Sequence, residues 1–307
     1  MTVEMRSGHA PCNEIELYYE DLGRQGDPAV LLVCGMSVQL IEWPDSLCRH
    51  LVDQGFRVIR FDNREAGLSS RSTVKQAPPI IRSYYRYKRG LPVKADYPLR
   101  QLMRDAVALL DHLDIAKAHW VGFSMGGMIS QLAAIHASER VLSLTSIMSN
   151  SNDADLPMPR LKTLLRLITP PRNKSNEAVA HTIALLFESL QGPKYPTPRS
   201  ELLEHAHQVI QRSRRPYAGP MHQMALFAEG GWRHDLKTIQ APTLIVHGTG
   251  DPLVRIEGGR RCAAEIPGAQ LWEIEGWGHD FPAALIEDLS HGIARHLLNS
   301  QPQATAS

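Results

Sequence analysis

The chain has 307 residues, 43% hydrophobic and 21% charged, with 33 Lys and Arg against 32 Asp and Glu. That length suits one large α/β domain with room for an insertion, or two ordinary domains, and it can bury a sizeable core. A net charge of +1 argues against nucleic acid as the main partner, because phosphate recognition leaves a basic excess, and 22 Gly and 21 Pro are too ordinary for a disordered or collagen-like chain.

Cys12, Cys34, Cys48 and Cys262 are too few and too scattered for a disulfide scaffold, and no pair has C-x-x-C spacing. They are expected to be buried free thiols. The first residues carry no apolar signal-peptide core, and no 18 apolar residues run together, so a cytoplasmic protein without stable membrane insertion is expected.

In chain order, short apolar runs alternate with helical patterns, which predicts a mainly parallel sheet covered on both faces. Ala29–Cys34 and Arg57–Phe61 read as buried strands, with helical spacing over Ser46–Val52 between them. Ser72–Pro98 mixes Arg82, Arg86, Lys88, Arg89 and Lys94 with Tyr84, Tyr85 and Tyr87, and is expected to be a solvated surface loop rather than a nucleic-acid groove. Leu99–Leu113 predicts an amphipathic helix, His119–Phe123 a strand, Met128–His136 an apolar helix and Val141–Met148 another strand. From about Asn152 to Gly231 the strands stop and three helical patterns follow one another, separated by prolines. This predicts a helical insertion, dividing the chain into a core (1–151), a cap (152–231) and the remainder of the core (232–307). Leu161, Leu164, Leu165 and Ile168 form an apolar stripe flanked by Arg160, Lys162 and Arg166. An ordinary amphipathic helix packed on the sheet is expected there, with an interfacial lid as the alternative. Thr243–His247 and Leu271–Ile274 supply the last strands, and a helix from about Ala284 to Leu298 closes the chain.

Gly122-Phe123-Ser124-Met125-Gly126 is a G-x-S-x-G sequence lying between a predicted strand and a predicted helix. That is the context of a nucleophile elbow, a strained turn that lifts the serine hydroxyl clear of the backbone. A serine hydroxyl is a weak nucleophile and needs a histidine base oriented by a carboxylate. Asp251 follows the Thr243–His247 strand in a Gly-containing loop, and His279 follows the last strand within Gly276-Trp277-Gly278-His279, so both occupy the positions this topology requires. Asp280, Glu275 and Asp153 are competing acids, and His247, inside its strand, is expected to pack. Two backbone N–H groups must stabilise the oxyanion. Met125 N–H is one candidate and Met36 N–H the other, with Ser37 as the fallback.

The chain resembles the α/β-hydrolase superfamily over nearly its whole length. Cys34-Gly35-Met36, the segment Asp62-Asn63-Arg64-Glu65-Ala66-Gly67-Leu68-Ser69, the elbow, His247-Gly248-Thr249-Gly250-Asp251-Pro252-Leu253-Val254 and Gly276-Trp277-Gly278-His279 carry the resemblance. Trp43-Pro44-Asp45 and the Asn63–Ser69 loop are most similar to esterases related to aclacinomycin methylesterase. The resemblance implies an eight-stranded, mostly parallel sheet with helices on both faces and a helical cap after the sixth strand. Cys34 departs from the histidine that many members have before the oxyanion glycine. The expected activity is hydrolysis of a small-molecule carboxylic ester through an acyl-enzyme, with no metal or organic cofactor. Aminopeptidase-type amide hydrolysis, cofactor-free perhydrolysis or haloperoxidation, and non-catalytic ligand binding remain alternatives. Leu161, Leu165, Phe187, Tyr217, Phe227 and Trp232 are candidate sources of substrate preference. The oligomeric state is not legible.

Overall fold

The computed structural model describes residues 4–71, 79–213 and 219–301. Its eight strands are β1 (Met5–Cys12), β2 (Ile15–Leu22), β3 (Ala29–Val33), β4 (Arg57–Phe61), β5 (Ala118–Phe123), β6 (Val141–Ile147), β7 (Thr243–Gly248) and β8 (Gln270–Ile274). They form one sheet in the order β1-β2-β4-β3-β5-β6-β7-β8. β2 runs antiparallel to both neighbours, and every pairing from β4 to β8 is parallel.

The hydrophobic pattern explains the layers. Strands β3, β4 and β5 are buried along their whole length, and successive residues serve opposite faces. Leu31, Val33, Ile59 and Phe61 join a core formed with α3 (Leu99–His112) and α4 (Met125–His136). Val30, Leu32 and Val58 join the opposite core with α1 (Asp45–Asp53) and α10 (Ala283–Asn299). Arg57 and Arg60 also lie in buried β4, and the antiparallel neighbour compensates them. Asp21 takes both Arg57 Nε and Nη2 at 3.0 Å, and Glu20 takes Arg60 Nε at 2.7 Å.

The strand order dictates where a site can sit. From β3 the chain moves outward to β4 on one side, then crosses to β5 on the other. The crevice beyond the carboxyl ends of β3 and β5 is therefore the switch point at which such sheets bind ligands.

Among the described residues, four α-helices lie between β6 and β7: α5 (Leu161–Ile168), α6 (Asn176–Leu190), α7 (Arg199–Arg212) and α8 (Gly219–Glu229). The remaining α-helices among the described residues are α2 (Ile80–Lys88) and α9 (Ile256–Glu265). Two expectations need correction. The segment expected to be a solvated loop contains α2, while residues 72–78 lie outside the described residues. Ile80, Tyr84 and Tyr87 share one face of that helix, and Tyr84 and Tyr87 lie against Phe227 of α8 with ring centroids 5.7 and 5.1 Å apart. Interleaved cations hid this periodicity. Second, the α5 stripe does not pack on the sheet. Leu161, Leu165 and Ile168 face outward, and Thr163 is the residue that α5 buries completely.

Candidate active site

Ser124 sits between β5 and α4 with φ 53° and ψ −124°, a conformation costly for any residue with a Cβ. Its surroundings show why the flanking residues are glycine. A Cβ on Gly122 would strike the Gly126 carbonyl, and one on Gly126 would strike the Val33 carbonyl, so α4 could not sit against the ends of β3 and β5. The turn is further held by Ser124 N–H donating to Ile147 O at 2.9 Å and Ser149 Oγ donating to Ser124 O at 2.7 Å. Ser124 Oγ makes no hydrogen bond among the described residues, where Ser124 is engaged only through its backbone.

Asp251 lies in the loop after β7 and is buried. Its Oδ1 accepts Leu253 N–H at 2.8 Å and Val254 N–H at 2.9 Å, while Oδ2 accepts from His279 Nδ1 at 2.7 Å. His247 Nε2 lies 3.4 Å from the same Oδ2 and 2.8 Å from Val254 O, so this strand histidine packs and also faces the acid. Burial opposes ionisation of Asp251, but the two histidines outweigh it and bring the pKa down to about 2. His279 Nδ1 must donate to the carboxylate, which leaves Nε2 free to act as a base. The His279 loop is fixed from the helical segment, since His279 N–H donates to Leu190 O at 2.7 Å.

Two of the competing acids are engaged elsewhere. Glu275 is exposed and 3.6 Å from Lys194 Nζ, and Asp153 accepts from Ser151 Oγ at 2.5 Å. Asp280, next to His279, keeps Oδ1 buried without a partner among the described residues. Burial, aided by nearby Asp251 and Glu42, raises its pKa to about 8.

On the other side of Ser124, Gly35 approaches so closely that a Cβ there would meet the Phe123 ring at 2.8 Å and Ser124 Cβ at 3.3 Å. The next residue, Met36, and Met125 at the start of α4 have backbone N–H groups with no acceptor among the described residues. Ser37 N–H, by contrast, is consumed by His222 Nδ1 at 3.1 Å. His222, on α8, donates from Nε2 to Arg64 O at 2.7 Å. One partner can only donate and the other can only accept, so the ring is neutral with a fixed tautomer. Complete burial lowers its pKa to about 4.

Other residues not anticipated from the sequence hold the same loop. Asp62 accepts Leu40 N–H at 2.8 Å and Leu68 N–H at 2.9 Å, and forms an ion pair with Arg212 Nη1 at 2.8 Å. Arg212 Nη1 also donates to Gln39 Oε1 at 2.7 Å, and Gln39 Nε2 donates to Val209 O at 2.9 Å. Glu42 pairs with His205 of α7 at 3.0 Å, which raises the His205 pKa. Trp43, Phe123 and Phe281 form a three-ring cluster with centroids 5.0–5.4 Å apart, joining this loop to the elbow and to the His279 loop. Cys34 is buried behind the loop with its thiol pKa pushed up by burial, and all four cysteines are free and buried.

A strained serine at the switch point, an acid–histidine pair and two unengaged N–H groups form the constellation seen on one large class of folds, and the chain belongs to it. The model of the alpha/beta hydrolase fold family matches residues 28–282. Among individual proteins, the chain is 29% identical to rhodomycin D methylesterase DnrP of Streptomyces peucetius, over 92% of this chain and 95% of that one. It is 27% identical to non-heme chloroperoxidase CPO-A1 of Kitasatospora aureofaciens, over 86% and 89% of the two chains. Among solved structures, 2-hydroxy-6-oxo-6-phenylhexa-2,4-dienoate hydrolase from Rhodococcus sp. strain RHA1 superposes with a TM-score of 0.72 at 17% identity, covering 97% of this chain and all of that one. That likeness concerns the fold.

Proposed function

We propose that this protein is a serine hydrolase that cleaves a small-molecule carboxylic ester. Ser124 Oγ attacks the ester carbonyl while His279 Nε2 takes its proton. The oxyanion is met by Met36 and Met125 N–H. The imidazolium then protonates the departing alkoxide, leaving an acyl group on Ser124 that a water activated by His279 removes. Asp251 holds the tautomer and stabilises the charged ring. The observation that carries this reading is the 2.7 Å Asp251–His279 contact at the same carboxyl end of the parallel sheet as the strained serine after β5. The methylesterase relatives favour an ester over an amide. No cofactor enters this scheme.

We further propose residues 152–231 as a cap, since Leu190, His205 and Arg212 all reach the loops around Ser124. An aminopeptidase would need acids in this segment to hold an amine. Glu229 is instead tied to Arg100 at 2.7 Å, and Glu188 to Arg199 at 2.7 Å. Perhydrolysis on the same three residues is the second reading, favoured by the chloroperoxidase relative.

Ser124→Ala is expected to lower turnover of short-chain p-nitrophenyl esters by about 10⁶-fold. Unchanged turnover would remove the assignment. A panel of methyl esters and larger alkyl esters would then rank the alcohol group.

A further inference from the structure

The exposed apolar residues of this protein are not scattered. Among the described residues eleven large hydrophobic side chains are exposed, and seven fall within 81–91 and 158–168. Ile81 is 87% exposed, Leu161 69%, Ile168 68% and Leu165 50%. Leu161, Leu165 and Ile168 follow the i, i+4, i+7 spacing that aligns them on one side of α5. The opposite side of α5 faces inward, where Thr163 Oγ1 donates to Ser189 O at 2.9 Å. α2 lies beside the chain that leads into α5. Tyr84 Oη meets Met158 Sδ at 2.6 Å, Tyr87 Oη donates to Asn152 O at 2.8 Å, and Lys88 Nζ meets Ala154 O.

The charge of this surface is as uneven as its polarity. The chain as a whole is nearly neutral, yet residues 80–91 carry Arg82, Arg86, Lys88 and Arg89 with no acid. Residues 156–175 carry Arg160, Lys162, Arg166, Arg172 and Lys174, again with no acid. None of these nine cations makes an ion pair among the described residues. The nearest acid before α5, Asp155, is taken by Arg261 at 2.7 Å.

From these observations we propose that α5 and the adjoining α2 surface form a docking face for an anionic phospholipid bilayer. An outward aliphatic stripe bordered by unpaired Lys and Arg is what an interfacial helix needs. The apolar side enters the acyl boundary and the cations meet lipid phosphates. Nucleic acid would use the cations but has no use for Leu161, Leu165 and Ile168. A second copy of this chain would bring like-charged faces together. The contact is peripheral, for no helix among the described residues is long and apolar enough to cross a membrane. It places the bilayer close to the candidate site, since Arg160 N–H donates to Pro252 O at 2.7 Å, one residue from Asp251. The proposal does not depend on which reaction the site performs.

The test is co-sedimentation of the full chain with vesicles, comparing mixed phosphatidylglycerol–phosphatidylcholine with phosphatidylcholine alone. The double variant Ile81→Glu/Ile168→Glu changes two outward side chains, and its turnover of a soluble ester and melting temperature are expected to match the parent. Binding should require phosphatidylglycerol, weaken as salt rises, and fall by about tenfold or more in the double variant. Absence of binding, equal binding to phosphatidylcholine, or binding that the double variant retains overturns the proposal. So does binding of a mixed-sequence oligonucleotide, or self-association, that the double variant abolishes while neither protein binds vesicles.

Discussion

The elbow that carries Ser124 and the loop that carries Met36 border the same crevice, yet they are held by different means. The elbow is braced within the sheet, by the Val33 and Gly126 backbones against its glycines and by Ile147 and Ser149 from the next strand. The Met36 loop is braced largely from outside the sheet. His222 holds Ser37, Arg212 holds Gln39 and Asp62, and His205 holds Glu42. In this arrangement the proposed nucleophile is a property of the core, and half of the proposed oxyanion site is a property of the helices packed over it. Substitutions in the core should therefore cost folding, and substitutions in the helices should cost catalysis while the fold persists.

Gly126→Ala is the harshest test of the first half. The added methyl lands on the Val33 carbonyl, which belongs to the sheet and cannot step aside, and a loss of about 3 kcal/mol is expected in urea unfolding. A stability within about 0.5 kcal/mol of the parent would show that the elbow is not packed as described.

His222 tests the second half. Removing an oxyanion donor outright costs about 10²–10³ in kcat, and loosening the loop that presents it should cost on the order of tenfold. His222→Ala is expected to lower kcat with little change in KM. His222→Gln, which can still accept from Ser37 and donate to Arg64, should recover part of the loss. A change confined to KM would assign His222 to substrate binding instead. The histidine also sets a pH dependence. Its pKa falls from 6.5 to about 4 on folding, so below 6.5 the unfolded chain binds a proton that the folded chain refuses. This contribution is fully present above about 6.5 and is lost as pH falls toward 4. His222→Gln should flatten that limb of the stability curve.

Asp280 gives an effect of opposite sign. Folding raises its pKa from 3.8 to about 8, so the folded state keeps a proton that the unfolded state releases. Its contribution is present below about 4 and is lost as pH rises to 8. Asp280→Asn is expected to raise the melting temperature at pH 8 and to leave it nearly unchanged at pH 4. An equal shift at both pH values would point to packing rather than ionisation.

The contrast between the two loops also marks what the sequence made legible. Ser124, Asp251 and His279 stand out because each follows a strand in a glycine-containing loop, so local pattern and topology together place them. The side chains that brace the Met36 loop do not announce themselves. His222 lies 185 residues from Ser37, and nothing local separates it from the other thirteen histidines. His247 stands four residues before Asp251, a spacing that invites the contact, but its position inside a buried strand made packing the simpler reading. The β1–β2 hairpin is not legible because β1, at the edge of the sheet, carries few apolar residues, and α2 is not because cations interrupt its apolar face. The outward direction of the α5 stripe could not be read from periodicity, which gives a face but not what covers it.

The most direct test of the central claim is covalent. Incubation with a fluorophosphonate, followed by peptide mass spectrometry, should place a single adduct on Ser124 and abolish ester turnover in proportion to labelling. Full turnover with Ser124 unlabelled, or an inactivating adduct at another residue that persists in Ser124→Ala, would contradict the account.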